Sequence, residues 1–256
     1  MTSKAINEQG VDTAIEPKSN LLVKIVLWLV TLLFLPQVVL GILSGMFFGV
    51  WQGEKFTLST FDTWYMTISV LLTLSLISPL ITIPLLMKAT KAESWSEYFD
   101  FWAVKVIGVS EVAKWIVVGF VFWFISSFLG WWIKVPEEQF MLDIKAASNS
   151  TDMIILILFT LCLVVPIMEE LIFRGWLFSK VAQTKLGNIG ALLLTAFFFT
   201  IIHSQYENVM TFLMLLSFGL LLGVVRYKSN NICYTVIIHA LFNTLTLTAS
   251  ENQLLN

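Results

Sequence analysis

Residues 153–175, MIILILFTLCLVVPIMEELIFRG, place two acids and a base at the end of an almost unbroken apolar run. The run from Met153 to Met168 is apolar enough to lie in lipid, where an acid or an arginine at mid-helix costs roughly +2.5 to +3.5 kcal/mol. Charges in such a place need compensation. On a helix Glu170 and Arg174 are i,i+4 neighbours and can pair, whereas Glu169 points about 100° away from Glu170 and finds no partner on its own helix. Glu169 is therefore the residue whose presence asks for a function.

The rest of the chain extends this membrane character. Of the 256 residues 57% are hydrophobic and 12% charged, against about 25% charged in soluble domains, so the sequence predicts an all-α, polytopic membrane bundle. A formal net charge of −2, with no basic stripe, gives no reason to expect a nucleic-acid partner. Membrane lipids are the expected surroundings. Cys162 and Cys233 lie in apolar stretches at no metal or redox spacing and read as small buried hydrophobes.

Residues 1–20 form a polar tail, with no short apolar segment and cleavage site behind it. A first span is expected from Leu21 to Trp51, carrying Gly41, Gly45 and Gly49 as a small-residue stripe for close packing. A second runs from Trp64 to Met87, where Pro79 and Pro84 predict a kink or an unwound turn. Lys88 to Lys105, mixed in charge and aromatics, suits an interfacial helix. Glu111 to Lys134 is a third span with tryptophans at both ends. After a polar connection from Val135 to Asp152 come Met153–Ala182, Ile189–His203, Val209–Val225 and Ile232–Ala249. That makes seven spans, with an eighth helix conceivable near 95–110, in one integral domain: N-terminal helices over 21–152 and a core over 153–250.

On alternate sides of these spans the basic residues are unequal. Segments on the side of the N-terminus hold Lys4, Lys18 and Lys24, then Lys88, Lys91 and Lys105, then Arg174, Lys180 and Lys185, then Arg226 and Lys228; the opposite side holds Lys55, Lys134 and Lys145. The positive-inside rule then predicts a cytoplasmic N-terminus.

Three more polar residues stand where lipid-facing side chains do not belong: His203, and His239 with Asn243, an i,i+4 pair on one helix face. A lone intramembrane histidine is ordinarily a satisfied helix–helix hydrogen bond. Both histidines of the chain, an unpaired glutamate and an asparagine on three spans argue instead for a shared site. No serine or cysteine has an oriented base beside it, and there is no H-E-x-x-H helix or Gly-rich phosphate loop. What fits is an activated water: a desolvated carboxylate and an imidazole polarise it while a second imidazole and a carboxamide donate to an oxyanion. The same four side chains, Glu169, His203, His239 and Asn243, are also a candidate ligand set for a divalent metal with one open position.

E-E-x-x-F-R (Glu169 to Arg174), F-x-x-x-H (Phe199 to His203) and H-x-x-x-N (His239 to Asn243), in this order on successive spans, resemble the signatures of the CPBP family. This Abi group of intramembrane proteases includes the type II CAAX prenyl endopeptidases. The resemblance covers residues 150–250 and implies that Glu169 activates water with His203, that His239 and Asn243 bind the oxyanion, and that Glu170 and Arg174 are secondary or structural. It implies a peptide or lipidated protein as substrate, and either a divalent metal such as zinc or a metal-free glutamate mechanism. Bacterial members are linked to peptide processing and bacteriocin immunity; the compact form and short loops of this chain look bacterial, so it is expected in a bacterial plasma membrane. A non-proteolytic scaffold or immunity protein using the same cavity is the alternative reading. A transporter is a third, disfavoured because paired repeats with broken helices are not visible.

One expectation conflicts with this convergence. At about 1.5 Å per residue, His203 lies some 27 Å beyond Lys185 but Glu169 only some 16 Å before Lys180, a mismatch in depth of roughly 10 Å. Strong tilt, or a fifth helix starting after Gly187, would absorb it.

Overall fold

A computed structural model describes residues 18–251; the tail expected over residues 1–20 falls almost wholly outside this range. Among the described residues there are helices and no strand. In order these are α1 (Lys18–Gln52), α2 (Leu58–Tyr65), α3 (Ile68–Ile77), α4 (Pro79–Thr90), α5 (Trp95–Trp102), α6 (Val109–Trp132), α7 (Gln139–Ala147), α8 (Thr151–Ala182), α9 (Gly187–Ile201), α10 (Val209–Ser229) and α11 (Ile232–Glu251).

Among the described residues six helical stretches are long and apolar enough to cross a membrane: Leu21–Lys55, Ile68–Thr90, Val109–Trp132, Thr151–Ala182, Val209–Ser229 and Ile232–Ala249. This count, made over the described residues, does not confirm the expected seven to eight. The predicted fifth span is α9, whose 15 residues cover about 22 Å at 1.5 Å per residue, short of the roughly 30 Å of hydrocarbon. The region around 95–110 supplies only the eight-residue α5, ended by Ala103 in the left-handed conformation (φ 55°) and followed by non-helical backbone. Trp102 is buried and its Nε1 donates to Thr90 Oγ1 at 2.9 Å, so α5 packs on the bundle as well as facing out through Trp95.

The expected interruption appears at Pro79, whereas Pro84 lies inside the continuous helix α4. Pro79 has no N–H for the carbonyl of Ser75, four residues back, and the seam between α3 and α4 falls at Ser78, whose Oγ donates to Ser75 O at 3.0 Å. The glycine stripe of α1 also packs closely, though on a different partner. A Cβ at Gly41, Gly45 or Gly49 would meet Tyr65, Phe61 or Phe56 at 3.5–3.8 Å, so the stripe receives the rings of the α2 hairpin.

The main core gathers aromatic and aliphatic side chains from α1, α4, α6, α8, α9, α10 and α11. Helices α9 and α10 form its tightest contact. A Cβ at Gly219 would lie 3.2 Å from Ala196 Cα, and one at Gly223 2.9 Å from Leu192 Cγ. The connection 135–152, expected to be a polar loop, contains α7, and Ile144 on it is buried in a small cluster with Leu72 and Ile157.

Candidate active site

Two departures from α-helical winding shape α8. Thr160–Val164 and Leu171–Leu177 are π-helical, wider turns with i→i−5 hydrogen bonds. In this register Val165 N–H reaches Thr160 O, and the next bond would run from residue 166 to Leu161 O. Residue 166 is proline and has no N–H. Asn243 Nδ2 from α11 fills the gap, donating to Leu161 O at 2.8 Å. A proline in one helix is thus matched by an amide on another, and Glu169 follows three residues later.

Glu170 and Arg174 pair as the i,i+4 spacing predicts. Both side chains are 0% exposed, with Arg174 Nη1 donating to Glu170 Oε1 at 3.0 Å. The other guanidinium arm donates to Gly219 O at 3.0 Å, and the guanidinium lies 4.6 Å over the Phe199 ring. Glu170 Oε1 also accepts from His239 Nδ1–H at 3.0 Å. A buried arginine, carboxylate and imidazole therefore form one chain of charge-assisted bonds, which is how such charges persist away from water. Arg226, read from the sequence only as a topological charge, is buried too and donates to the carbonyl of Arg174 at 2.9 Å, inside the second π segment.

Glu169 stands apart from this chain. Its Oε2 is buried and makes no hydrogen bond to a described residue. His203 Nε2 lies 3.9 Å from Oε1 and His239 Nε2 lies 3.7 Å from Oε2. Both imidazoles are oriented from behind, because Nδ1 of His203 donates to the Phe199 carbonyl at 2.7 Å and Nδ1 of His239 to Glu170. Those acceptors fix each Nδ1 as protonated, which leaves Nε2 facing Glu169 as the variable position. Phe199 and Phe218 meet the His239 ring nearly edge-on at 5.6 and 5.4 Å, holding its plane. Glu169, His203, His239 and Asn243 all line one cavity of about 170 Å³.

The depth conflict resolves through the helix ends. The hairpin turns between Ala182 and Gly187, so the arms to Glu169 and His203 are about 20 and 24 Å at 1.5 Å per residue, not 16 and 27. Because Cβ atoms lean toward each helix's N-terminus, the Glu169 side chain leans away from the hairpin and the His203 side chain toward it, which closes the remainder. Helix α9 starts at Gly187, so no later start is needed.

Several residues at the cavity were not singled out from the sequence. Phe140 and Met141 enter from α7, and Tyr206 from the turn after α9. Tyr206 lies parallel to His203 at 4° with centroids 6.2 Å apart, and Phe140 meets it edge-on. Burial, with Glu169 and Glu138 nearby, pushes the Tyr206 hydroxyl up to about 12, so it stays a donor at neutral pH. The Glu138 carboxylate accepts from the backbone N–H groups of Glu207 and Asn208 at 3.1 and 3.2 Å, pinning this turn to the segment before α7.

The two imidazoles approach different oxygens of Glu169, and Asn243 Nδ2 is engaged by Leu161 O, which leaves Oδ1, the atom through which an asparagine ligates a metal, without a hydrogen bond to a described residue. Among the described residues no group of three His, Cys, Asp or Glu side chains is arranged to hold a metal ion.

A buried carboxylate flanked by two pre-oriented imidazoles, inside an all-helical membrane bundle, defines a polar centre of the kind that activates water. Residues 151–245 are similar to the family model described as Type II CAAX prenyl endopeptidase Rce1-like. An Escherichia coli protein described as an uncharacterized 24.3 kDa protein is 32% identical over 136 residues, 52% of this chain and 62% of that relative. The chain thus spans less than two thirds of that relative's length. No solved structure matches.

Proposed function

We propose that the protein is an intramembrane endopeptidase that hydrolyses a peptide bond in a membrane-associated or lipidated substrate. The observation that carries this reading is the approach of His203 Nε2 and His239 Nε2 to opposite oxygens of Glu169, at 3.9 and 3.7 Å. Those separations are too long for direct hydrogen bonds and match groups that meet through a shared small molecule. Glu169 takes a proton from the attacking water as its oxygen bonds to the carbonyl carbon, with His203 Nε2 accepting the second water hydrogen bond. The carbonyl oxygen becomes an oxyanion that receives N–H donors from His239 Nε2, when that imidazole is protonated, and from the free amide hydrogen of Asn243. The C–N bond then breaks, and Glu169 returns the proton to the departing amine, leaving a carboxylic acid and a free amino group.

The matched family's name points to prenylated C-termini, and a second feature favours a lipid-bearing substrate. An apolar groove of about 680 Å³ lies between α1, α4, α8 and α9, with Glu169 on its wall. A hydrocarbon chain there would hold the adjoining peptide beside the catalytic acid.

The test is cleavage of a mass-resolved peptide library, prenylated and unmodified, by protein purified in detergent, with and without a chelator. Cleavage lost in Glu169→Gln supports the reading, and chelator sensitivity reversed by added zinc would assign the water to a metal. Peptide binding without cleavage in the wild type would leave the scaffold reading in its place.

A further inference from the structure

At about 170 Å³ the inner cavity is smaller than the roughly 300–1,000 Å³ of ordinary ligand pockets. A peptide that brings one bond to Glu169 must continue into a neighbouring space. The 680 Å³ groove meets the inner cavity at Val165 and Glu169, and the hydroxyls of Ser78 and Thr82 on its wall are engaged by their own helices, bonding to Ser75 O and Ser78 O at 3.0 Å each. Gln37, Ser75 and Ser204 also line it, but it holds no cation, its one charged residue being Glu169.

A second cavity, about 740 Å³, lies between α6 and α10 and joins the inner one along a neck formed by Met141, Tyr206, Leu215, Phe218, Phe242 and Thr246. The hydroxyls of Ser126, Ser127, Thr211, Tyr206 and Thr246 line it, and none hydrogen-bonds to another described residue. On the same wall the carboxylate of Glu138 is engaged by two backbone N–H groups, whereas the ammonium of Lys134 pairs with no described acid. Each peptide residue carries an N–H and a C=O that must be satisfied when water is excluded. A row of open hydroxyls supplies those partners, and a hydrocarbon chain has no use for them.

We propose that the cavity between α6 and α10 is the peptide subsite: it holds the chain running away from the scissile bond, with Ser126, Ser127 and Thr211 bonding its backbone, Tyr206 at the neck, and Lys134 drawing a carboxylate on the peptide. The carboxylate is either a side chain or the chain terminus. This rests on the peptidase reading for the identity of the scissile bond, and not for the location of the peptide.

The test uses Glu169→Gln protein in mixed lipid–detergent micelles with decapeptides bearing benzoylphenylalanine. The peptides are neutral, or carry one internal Asp with an amidated end, or have a free C-terminal carboxylate. Photolabelling mapped by mass spectrometry should fall on residues 126–134 and 211–214, with one acidic class labelling about ten-fold better than the neutral one, the worth of one charge-assisted bond. Lys134→Gln should erase that preference. Gly130→Leu should reduce labelling about ten-fold by filling the cavity; a Cβ at Gly130 meets only Met214 Cε at 3.5 Å, so the backbone need not move. Labels on residues 26–37 or 75–82, or no labels, would overturn the assignment. If the labels fall as expected but the wild type cleaves no peptide, the peptidase reading fails while the subsite stands. If the wild type cleaves and Gly130→Leu and Lys134→Gln leave kcat/KM unchanged, the subsite fails alone.

Discussion

At the scale of single residues, the arrangement separates the bonded pair Glu170–Arg174 from Glu169, whose Oε2 makes no hydrogen bond to a described residue. Arg174 donates to Glu170 and to Gly219 O from a fully buried position, so Arg174→Ala strands a carboxylate and should cost about 3–5 kcal/mol. Thermal unfolding of the purified variant in detergent should show that loss; full stability with lost turnover would instead put the arginine in the chemistry. Asn243→Ala removes both the bond to Leu161 O and the proposed oxyanion donor, and turnover should fall by roughly 10²–10³. Glu169, His203, His239, Asn243 and the Glu170–Arg174 pair were legible in the sequence because charge in an apolar run is costly and i,i+4 spacing fixes what shares a face. Tyr206, Phe140 and Glu138 were not, since they lie in connecting segments whose approach to the site is set by tertiary folding. Arg226 was legible only as a charge, because nothing local marks its bond to the Arg174 carbonyl.

At the scale of elements, hydropathy and length revealed most of the long helices, and proline marked where hydrogen bonding fails. What the pattern does not carry is winding: the two π segments of α8 leave no periodic trace, and α7 is short enough to read as loop. The link between Pro166 and Asn243 is testable. Replacing the proline by alanine restores an N–H that can reach Leu161 O, so the stability cost of Asn243→Ala should be smaller in the Pro166→Ala background, with a coupling of about 1 kcal/mol in a double-mutant cycle. Additive costs would show that the amide does not substitute for the missing donor. The close contact of α9 and α10 makes a second element-scale prediction. Gly219→Leu must push against Ala196, 3.2 Å from the position of a Cβ, and should lower the melting temperature through overpacking of about 1–3 kcal/mol.

For the whole molecule, six helices among the described residues are long and apolar enough to cross a membrane, and the expected fifth span is the shorter α9, which stops at Ile201 before the turn that carries His203. We propose from the basic residues that the 182–187 hairpin, flanked by Lys180 and Lys185, lies on the cytoplasmic side. Single cysteines introduced at Gln183 should then be labelled by an impermeant maleimide only after the cells are opened, and labelling of intact cells would reverse the topology. The central claim, that Glu169 is a base acting on water and not a structural acid, is tested most directly by turnover in Glu169→Gln, which keeps shape and hydrogen bonding but removes the base. The account predicts peptide still bound and turnover down at least about 10²-fold; a variant that cleaves its peptide at the wild-type rate would contradict it.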